Sequence, residues 1–427
     1  MPGRRRSLVS NMGTAALLLS MALLLPPGLA GAAPIEVTAS GLGTFVNRQP
    51  VFAIGLTKAP PVVGKTPDGR PAYEEIASNG FVWHRLGVSP GQWGPEAEKE
   101  VARVLDADAK AGIHAALYIS DLTRIKPRNT ARIEELRRVI RRFREHPALF
   151  VWKGADEPEW GKVPVEELMP FYQAVHELDP NHPVWITQAP RGTIESLKKY
   201  DPSYDIGAID IYPVGYPPGA NSHLPNKNLS AVGDYANWMR EITGGKKPFW
   251  MVLQIAWSGV IQEGKTLRFP TFAEERYMAY QAIINGARGL NFFGGDLAKS
   301  LNARDAKLGW NWTFYGRVLK PLLDELNPKG PLYPALVAPD SNLPVRVSGA
   351  DDIEFAVREA GEYIYVLAAK REGDTVKATF SGLPPVRETA EVLFEEPRTA
   401  PVSAGAFTDW FGPNEVHVYR LRRAGAN

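Results

Sequence analysis

The 427-residue sequence predicts an α/β protein: a (β/α)8 barrel followed by a C-terminal antiparallel β-sandwich. Three observations carry that expectation. Short runs rich in β-branched and aromatic residues alternate with longer stretches of helical period, the rhythm of a parallel sheet covered by helices. Eight such units fit into about 280 residues, the usual length of a closed barrel. Beyond residue 331 the helical period is lost, and short alternating runs sit between Gly, Pro and Asp turns.

Residues 1–32 read as an export leader: Arg4, Arg5 and Arg6, an apolar run over 15–25 too short to span a bilayer, and the small-residue cleavage site Ala30-Gly31-Ala32. The stretch Arg5-Arg6-Ser7-Leu8-Val9 also resembles a twin-arginine signal. Residues 33–49 are expected to form a β-hairpin lead-in that caps the barrel bottom. The barrel is expected over 50–328, with strands at 51–56, 81–87, 113–121, 149–155, 183–189, 206–213, 249–257 and 289–295. Runs such as Phe249-Trp250-Met251-Val252-Leu253 are apolar throughout, so both their faces should be buried. Helices are expected over 95–112, 130–145, 164–178, 229–243, 272–286 and 310–326. In the first of them Val101, Val104, Leu105 and Ala109 recur at helical spacing, and Gly112 stands at the stop. The break Asn327-Pro328-Lys329-Gly330-Pro331 precedes a sandwich over 335–423, with strands expected at 353–358, 363–368, 376–380, 390–394 and 416–421.

Composition narrows the function. With 44% hydrophobic and 22% charged residues the chain is not a disordered or coiled-coil protein. Without the leader's arginines it carries 46 basic against 47 acidic residues, a net charge of −1, so it has no electrostatic footprint for nucleic acid or an anionic membrane surface. Stable membrane insertion is not expected once the leader is removed. The absence of cysteine excludes disulfides, thiolate metal sites and cysteine nucleophiles. No phosphate-binding glycine loop or dinucleotide fingerprint is present, so no cofactor is expected. Of seven histidines only His84 ends a strand, so no metal site is expected either.

In a (β/α)8 barrel the functional groups lie at the C-terminal strand ends. Here those ends carry His84 and Arg85, then Asp121, then Asp156 and Glu157, then Gln188, Asp210 with Tyr212, Gln254 with Trp257, and Asp296. Carboxylates dominate the set, which favours acid–base chemistry on a neutral polyol. The most informative stretch runs from Trp152 to Trp160: an apolar strand ends in two adjacent acids, is stopped by Pro158 and is flanked by tryptophans. Desolvation there would raise a carboxyl pKa, as a general acid requires. Taken alone, Asp-Glu-Pro would equally suit the cap of the next helix, and its place at the end of the fourth strand favours catalysis. Ten of the 11 tryptophans fall in the barrel segment. Trp185 and Trp250 are expected to fill the core, whereas Trp83 and Trp257 are expected to stack on sugar rings.

Gly80-Phe81-Val82-Trp83-His84-Arg85-Leu86, the Asp156-Glu157-Pro158 turn, Asp210-Ile211-Tyr212-Pro213 and Gly289-Leu290-Asn291-Phe292-Phe293 resemble segments of the (β/α)8 glycoside hydrolases of the cellulase and β-galactosidase superfamily. The resemblance implies a secreted or periplasmic glycosidase acting on an extracellular poly- or oligosaccharide. It makes Glu157 the general acid, Arg85 the support for the floor of the −1 sugar site, and Tyr212 the aromatic hydroxyl near the carboxylates. The sequence departs from the superfamily in having Asp156 where Asn usually precedes the acid, and Gln254 where the seventh strand usually ends in a nucleophilic Glu. A glutamine amide cannot form the glycosyl ester of the standard retaining route. Three alternatives stay open. In an inverting scheme Asp210 or Asp296 activates water. In a substrate-assisted scheme Asp156 orients a 2-acetamido group. In the third, a non-catalytic barrel only binds glycans.

Overall fold

The computed structural model describes residues 33–425 apart from 42, 89–90, 256–268 and 295–311. The chain enters through a three-stranded antiparallel sheet, β1 (Val37–Ser40), β2 (Gly43–Val46) and β3 (Gln49–Val51). This is one strand more than the expected hairpin. The Val37 N–H donates to the Asn181 carbonyl at 2.8 Å, and the Val37 side chain joins the cluster that fills the lower barrel.

The eight expected strands form one parallel sheet: β4 (Ala53–Leu56), β5 (Trp83–Gly87), β6 (His114–Tyr118), β7 (Leu149–Asp156), β8 (Val184–Thr187), β9 (Gly207–Asp210), β10 (Phe249–Gln254) and β11 (Gly289–Phe293). β11 pairs with β4, and the bridges Trp185 to Ile206 and Gln188 to Ile209 join β8 to β9, closing a TIM barrel. The observed strands stop short of several expected runs because the chain leaves the ladder at the mouth. Residues 113–121, for example, give β6 and then a 3-10 turn, Ser120–Thr123.

The helical layer comprises α1 (Ala72–Ser78), α2 (Pro95–Ala111), α3 (Thr130–Phe143), α4 (Val165–Leu178), α5 (Ile194–Lys198), α6 (Ala231–Ile242), α7 (Phe272–Ile284) and α8 (Lys320–Leu326). Pro95 opens α2, and Gly112, with φ of 72°, takes the left-handed conformation that ends it. Thr271 and Glu274 form a reciprocal capping box at the start of α7. α1 and α5 were not expected: at seven and five residues they are too short for a repeating apolar face.

Alternation along the strands sends one set of side chains into the barrel and the other against the helices. Deep inside, Trp83, Trp185 and Trp250 cluster: Trp83 meets Trp185 edge to face with ring centroids 5.0 Å apart and stacks on Trp250 at 5.2 Å. The Trp83 ring occupies the space over Gly55, where a Cβ would lie 2.3 Å from it. Trp185 and Trp250 are core fillers as expected. Trp83, expected as a sugar platform, is a third one and is wholly buried.

The C-terminal part is a two-sheet antiparallel β-sandwich. One sheet holds β12 (Arg346–Ser348), β15 (Val376–Ser381) and β18 (Phe407–Phe411); the other holds β13 (Ile353–Ala360), β14 (Tyr363–Lys370), β16 (Val386–Leu393), β17 (Arg398–Pro401) and β19 (Val416–Arg423). Phe380, Phe407 and Tyr419 pack between them. Glu372 accepts from the Ser230 N–H at 3.0 Å and from its hydroxyl at 2.7 Å, and Arg371 pairs with Asp234, so polar contacts tie the sandwich to the start of α6. Residues 33–427 form one compact unit, and among the described residues no helix is long and apolar enough to cross a membrane.

Candidate active site

β7 ends at the centre of the mouth. Its pairing with β8 shifts register between Lys153 and Asp156, so these two residues, three apart, both face the barrel interior. Bulges of this kind re-aim side chains at the rims of barrels. Glu157 follows in the left-handed region at φ 46°, its N–H donating to the Thr187 carbonyl at 2.8 Å and its carbonyl accepting from Gly161 at 2.9 Å. A non-glycine residue held in this way is a local strain that the surrounding turn must hold in place, and such strain gathers at functional sites.

The mouth is a cleft of two adjoining lobes of about 670 and 350 Å³ that share Thr57, Arg85, Asp156, Glu157, Trp160 and Phe293. The wider lobe adds Lys58, Tyr118 and Arg124; the narrower adds Lys153, Asp210, Tyr212 and Asn291. Lys153 is 1% exposed. Its ammonium reaches Asp156 Oδ1 at 3.0 Å and the Ala155 carbonyl at 3.0 Å, and lies 4.9 Å over the Trp185 ring. The other carboxylate oxygen of Asp156 is 3.4 Å from Arg85 Nη1.

These surroundings drive the three carboxyls apart. Burial alone would raise Asp156, but the charges of Lys153, Arg85 and Arg124 outweigh it and hold the group below the usual carboxylate range. Glu157 is pushed up, first by burial and then by the negative charge of Asp156. Asp210, 5% exposed, is pushed well up by burial and by the nearby negative charge of Glu157. Like charges so close disfavour ionising both carboxyls at once. Lys153 itself is lowered by burial, against the pull of Asp156. Oδ1 of Asp210 and Oδ1 of Asn291 have no partner among the described residues, leaving two buried acceptors on the narrower lobe.

Of the residues singled out from sequence, the structure brings together Arg85, Asp156, Glu157, Asp210 and Tyr212. It places five others elsewhere. His84 is on the opposite face of β5 from Trp83 and Arg85, and its Nε2 donates to the Asp108 carboxylate of α2 at 2.9 Å. Trp83 lies in the barrel core. Asp121 sits in the 3-10 turn after β6, where it accepts the Gly91 N–H at 2.7 Å and pins a loop. Gln188 shares the strand face of Val184 and Ile186, which pack toward the helices, and is fully buried outside the cleft. Gln254 points inward like Trp250 and Val252, but its amide is taken up by the backbone of Val214, accepting its N–H at 2.7 Å and donating to its carbonyl at 2.9 Å. Trp257 and Asp296 lie outside the described residues.

Sequence reading missed Lys153 as a site residue and passed over Trp160 as a platform. Trp160 is 59% exposed at the rim, with the Arg191 guanidinium 5.5 Å from its ring centroid, and it offers the flat face expected of Trp83. The position of Trp160 in the tryptophan-flanked turn after β7 was a usable signal. A lysine inside an apolar strand was another. Among the described residues no three His, Cys, Asp or Glu are grouped to hold a metal ion.

The double hydrogen bond of Gln254 bears on the missing nucleophile. Gln254→Glu is expected to gain no activity and to lower stability by about 1–3 kcal/mol, because a carboxylate would lose the donor and face the Val214 carbonyl unpaired. Thermal denaturation of the variant, with an activity assay beside it, checks both parts.

No protein-family model matches the sequence, and no curated protein matches it. Solved structures match the fold. A glycoside hydrolase family 5 protein from Bacteroides vulgatus superposes with a TM-score of 0.60 at 12% identity, over 92% of this chain and 94% of that one. A second structure, described as a glycoside hydrolase, gives 0.58 at 13% identity over 92% and 98%. An Anoxybacillus α-amylase gives 0.54 at 11% identity over 88% and 98%. At these identities the likeness is one of fold, a TIM barrel with a C-terminal β domain, and it extends to more than one kind of glycoside hydrolase.

Proposed function

We propose that the protein is a glycoside hydrolase in which Glu157 is the general acid. The observation that carries this reading is the unequal setting of two adjacent acids at the barrel mouth: Asp156 is paired with Lys153 at 3.0 Å and Arg85 at 3.4 Å, which hold its carboxyl down, while Glu157 beside it is pushed up by burial and by the charge of Asp156. A pair of carboxyls with environments that differ in this way divides acid and charge-stabilising roles between them. Glu157 then protonates the glycosidic oxygen, and the ionised Asp156 faces the positive charge that develops on the sugar. The rim face of Trp160 and the free acceptors of Asp210 and Asn291 supply a stacking surface and hydroxyl partners. The solved relatives in fold are glycoside hydrolases and amylases, in keeping with a poly- or oligosaccharide substrate. The leader read in residues 1–32 puts that substrate outside the cytoplasm.

For the second half of the reaction, the closeness of Asp210 to Glu157 favours the substrate-assisted route. An inverting pair stands about 6.5–9.5 Å apart to admit the attacking water, whereas Asp210 and Glu157 line the same narrow lobe and are close enough to perturb one another. Asp156 is ionised and adjacent to the acid, where it can accept the N–H of a 2-acetamido group whose oxygen attacks the anomeric carbon. A proton NMR spectrum of the first-formed anomer tests this. Retention with a 2-acetamido substrate, and no turnover of its 2-hydroxy counterpart, is the expected result. Inversion would transfer the attack to water and a base across the mouth, and no reducing sugar from any glycan in a broad panel would remove the hydrolase reading.

A further inference from the structure

We propose that the substrate is an anionic glycan and that Lys58 and Arg124 receive the carboxylate of a hexuronate unit in the wider lobe. This rests on the glycoside hydrolase reading and adds the substrate class. Among the described residues that lobe is lined by three cations, Lys58, Arg85 and Arg124, against two carboxyls, Asp156 and Glu157. Arg85 is already engaged with Asp156, and Glu157 has no ion-pair partner among the described residues. Arg124 is fixed at the lobe edge by one N–H donated to the Asp156 carbonyl at 2.9 Å; its charge acts on the Asp156 carboxylate from a distance, and it forms no direct ion pair among the described residues. Lys58 follows Thr57 at the end of β4, is exposed and lines the same lobe. The excess of positive charge is local, since beyond residue 32 the chain carries 46 basic against 47 acidic residues. Like-signed groups converging in a cleft concentrate an oppositely charged ligand there, and a planar guanidinium matches a planar carboxylate. A neutral polysaccharide would leave both cations desolvated beside it with nothing to compensate them.

The test uses the full chain and oligosaccharides of hyaluronan, polygalacturonate and glucuronoxylan, each beside its carboxyl-reduced form, together with a sulfated glycan whose uronates have been reduced. Initial rates are measured by reducing-end release, and binding of the same panel is measured by calorimetry on Glu157→Gln. A cleaved uronate substrate is expected to lose about tenfold or more in kcat/KM on carboxyl reduction, the worth of one charge-assisted contact. Lys58→Ala and Arg124→Ala should each shrink that preference, chiefly through KM, and added salt should shrink it as well. Equal rates for charged and reduced forms, or a preference that follows sulfate in place of carboxylate, overturn the proposal and leave the hydrolase reading standing. Uronate binding to Glu157→Gln without cleavage of any glycan by the unsubstituted protein has the opposite meaning: the anion site stands and the hydrolase reading falls.

Discussion

Glu157→Gln is expected to lower turnover by about two to four orders of magnitude, the usual loss when a general acid is removed. The amide keeps the shape of the side chain and loses only the transferable proton. Activity near that of the unsubstituted protein would remove Glu157 from the mechanism. The pH profile supplies a second readout. Because the Glu157 carboxyl is raised, activity should persist above the ordinary carboxylate range and fall as pH rises through the raised value. Stability should move in the same direction. A carboxyl whose folded pKa lies above its unfolded one favours folding at low pH, and that contribution is lost as pH rises past the folded value. At neutral pH the unsubstituted protein therefore carries a penalty that Glu157→Gln and Asp210→Asn do not. Both variants should melt at or above its Tm, and a large drop in Tm would mean that these carboxyls are structural.

Lys153→Met is expected to cost about tenfold or more in kcat on the acid side of the profile, with little change in KM. The lysine acts through Asp156, whose carboxylate it holds ionised at 3.0 Å from beneath the cleft. Removing the charge raises Asp156, so the acid limb of the pH profile should move upward while the alkaline limb, set by Glu157, stays in place. Methionine fills much of the same volume under Trp185, and the desolvation cost of the buried ammonium goes with it, so the fold should be retained. A loss of activity with an unmoved acid limb would make Lys153 a packing residue only.

Much of this protein is legible along the chain. The eight apolar runs set the strand count, the switch of period after 331 marked the sandwich, and the acid pair ending the fourth run pointed to the centre of the mouth. All of these depend on neighbours close in sequence, where a period of two or 3.6 expresses itself directly. Which strand-end residues reach the cleft was decided elsewhere. His84 and Arg85 are adjacent, yet one pairs with a helix and the other with Asp156, and Trp83 shares the inward face of Arg85 but lies a layer too deep to meet a ligand. Gln254 faces inward and is silenced by a loop forty residues upstream. Lys153 and Asp156 point the same way only because β7 bulges against β8. Depth in a barrel is set by the stagger between strands, and a bulge by how one strand fits the next; both are properties of pairings between distant segments.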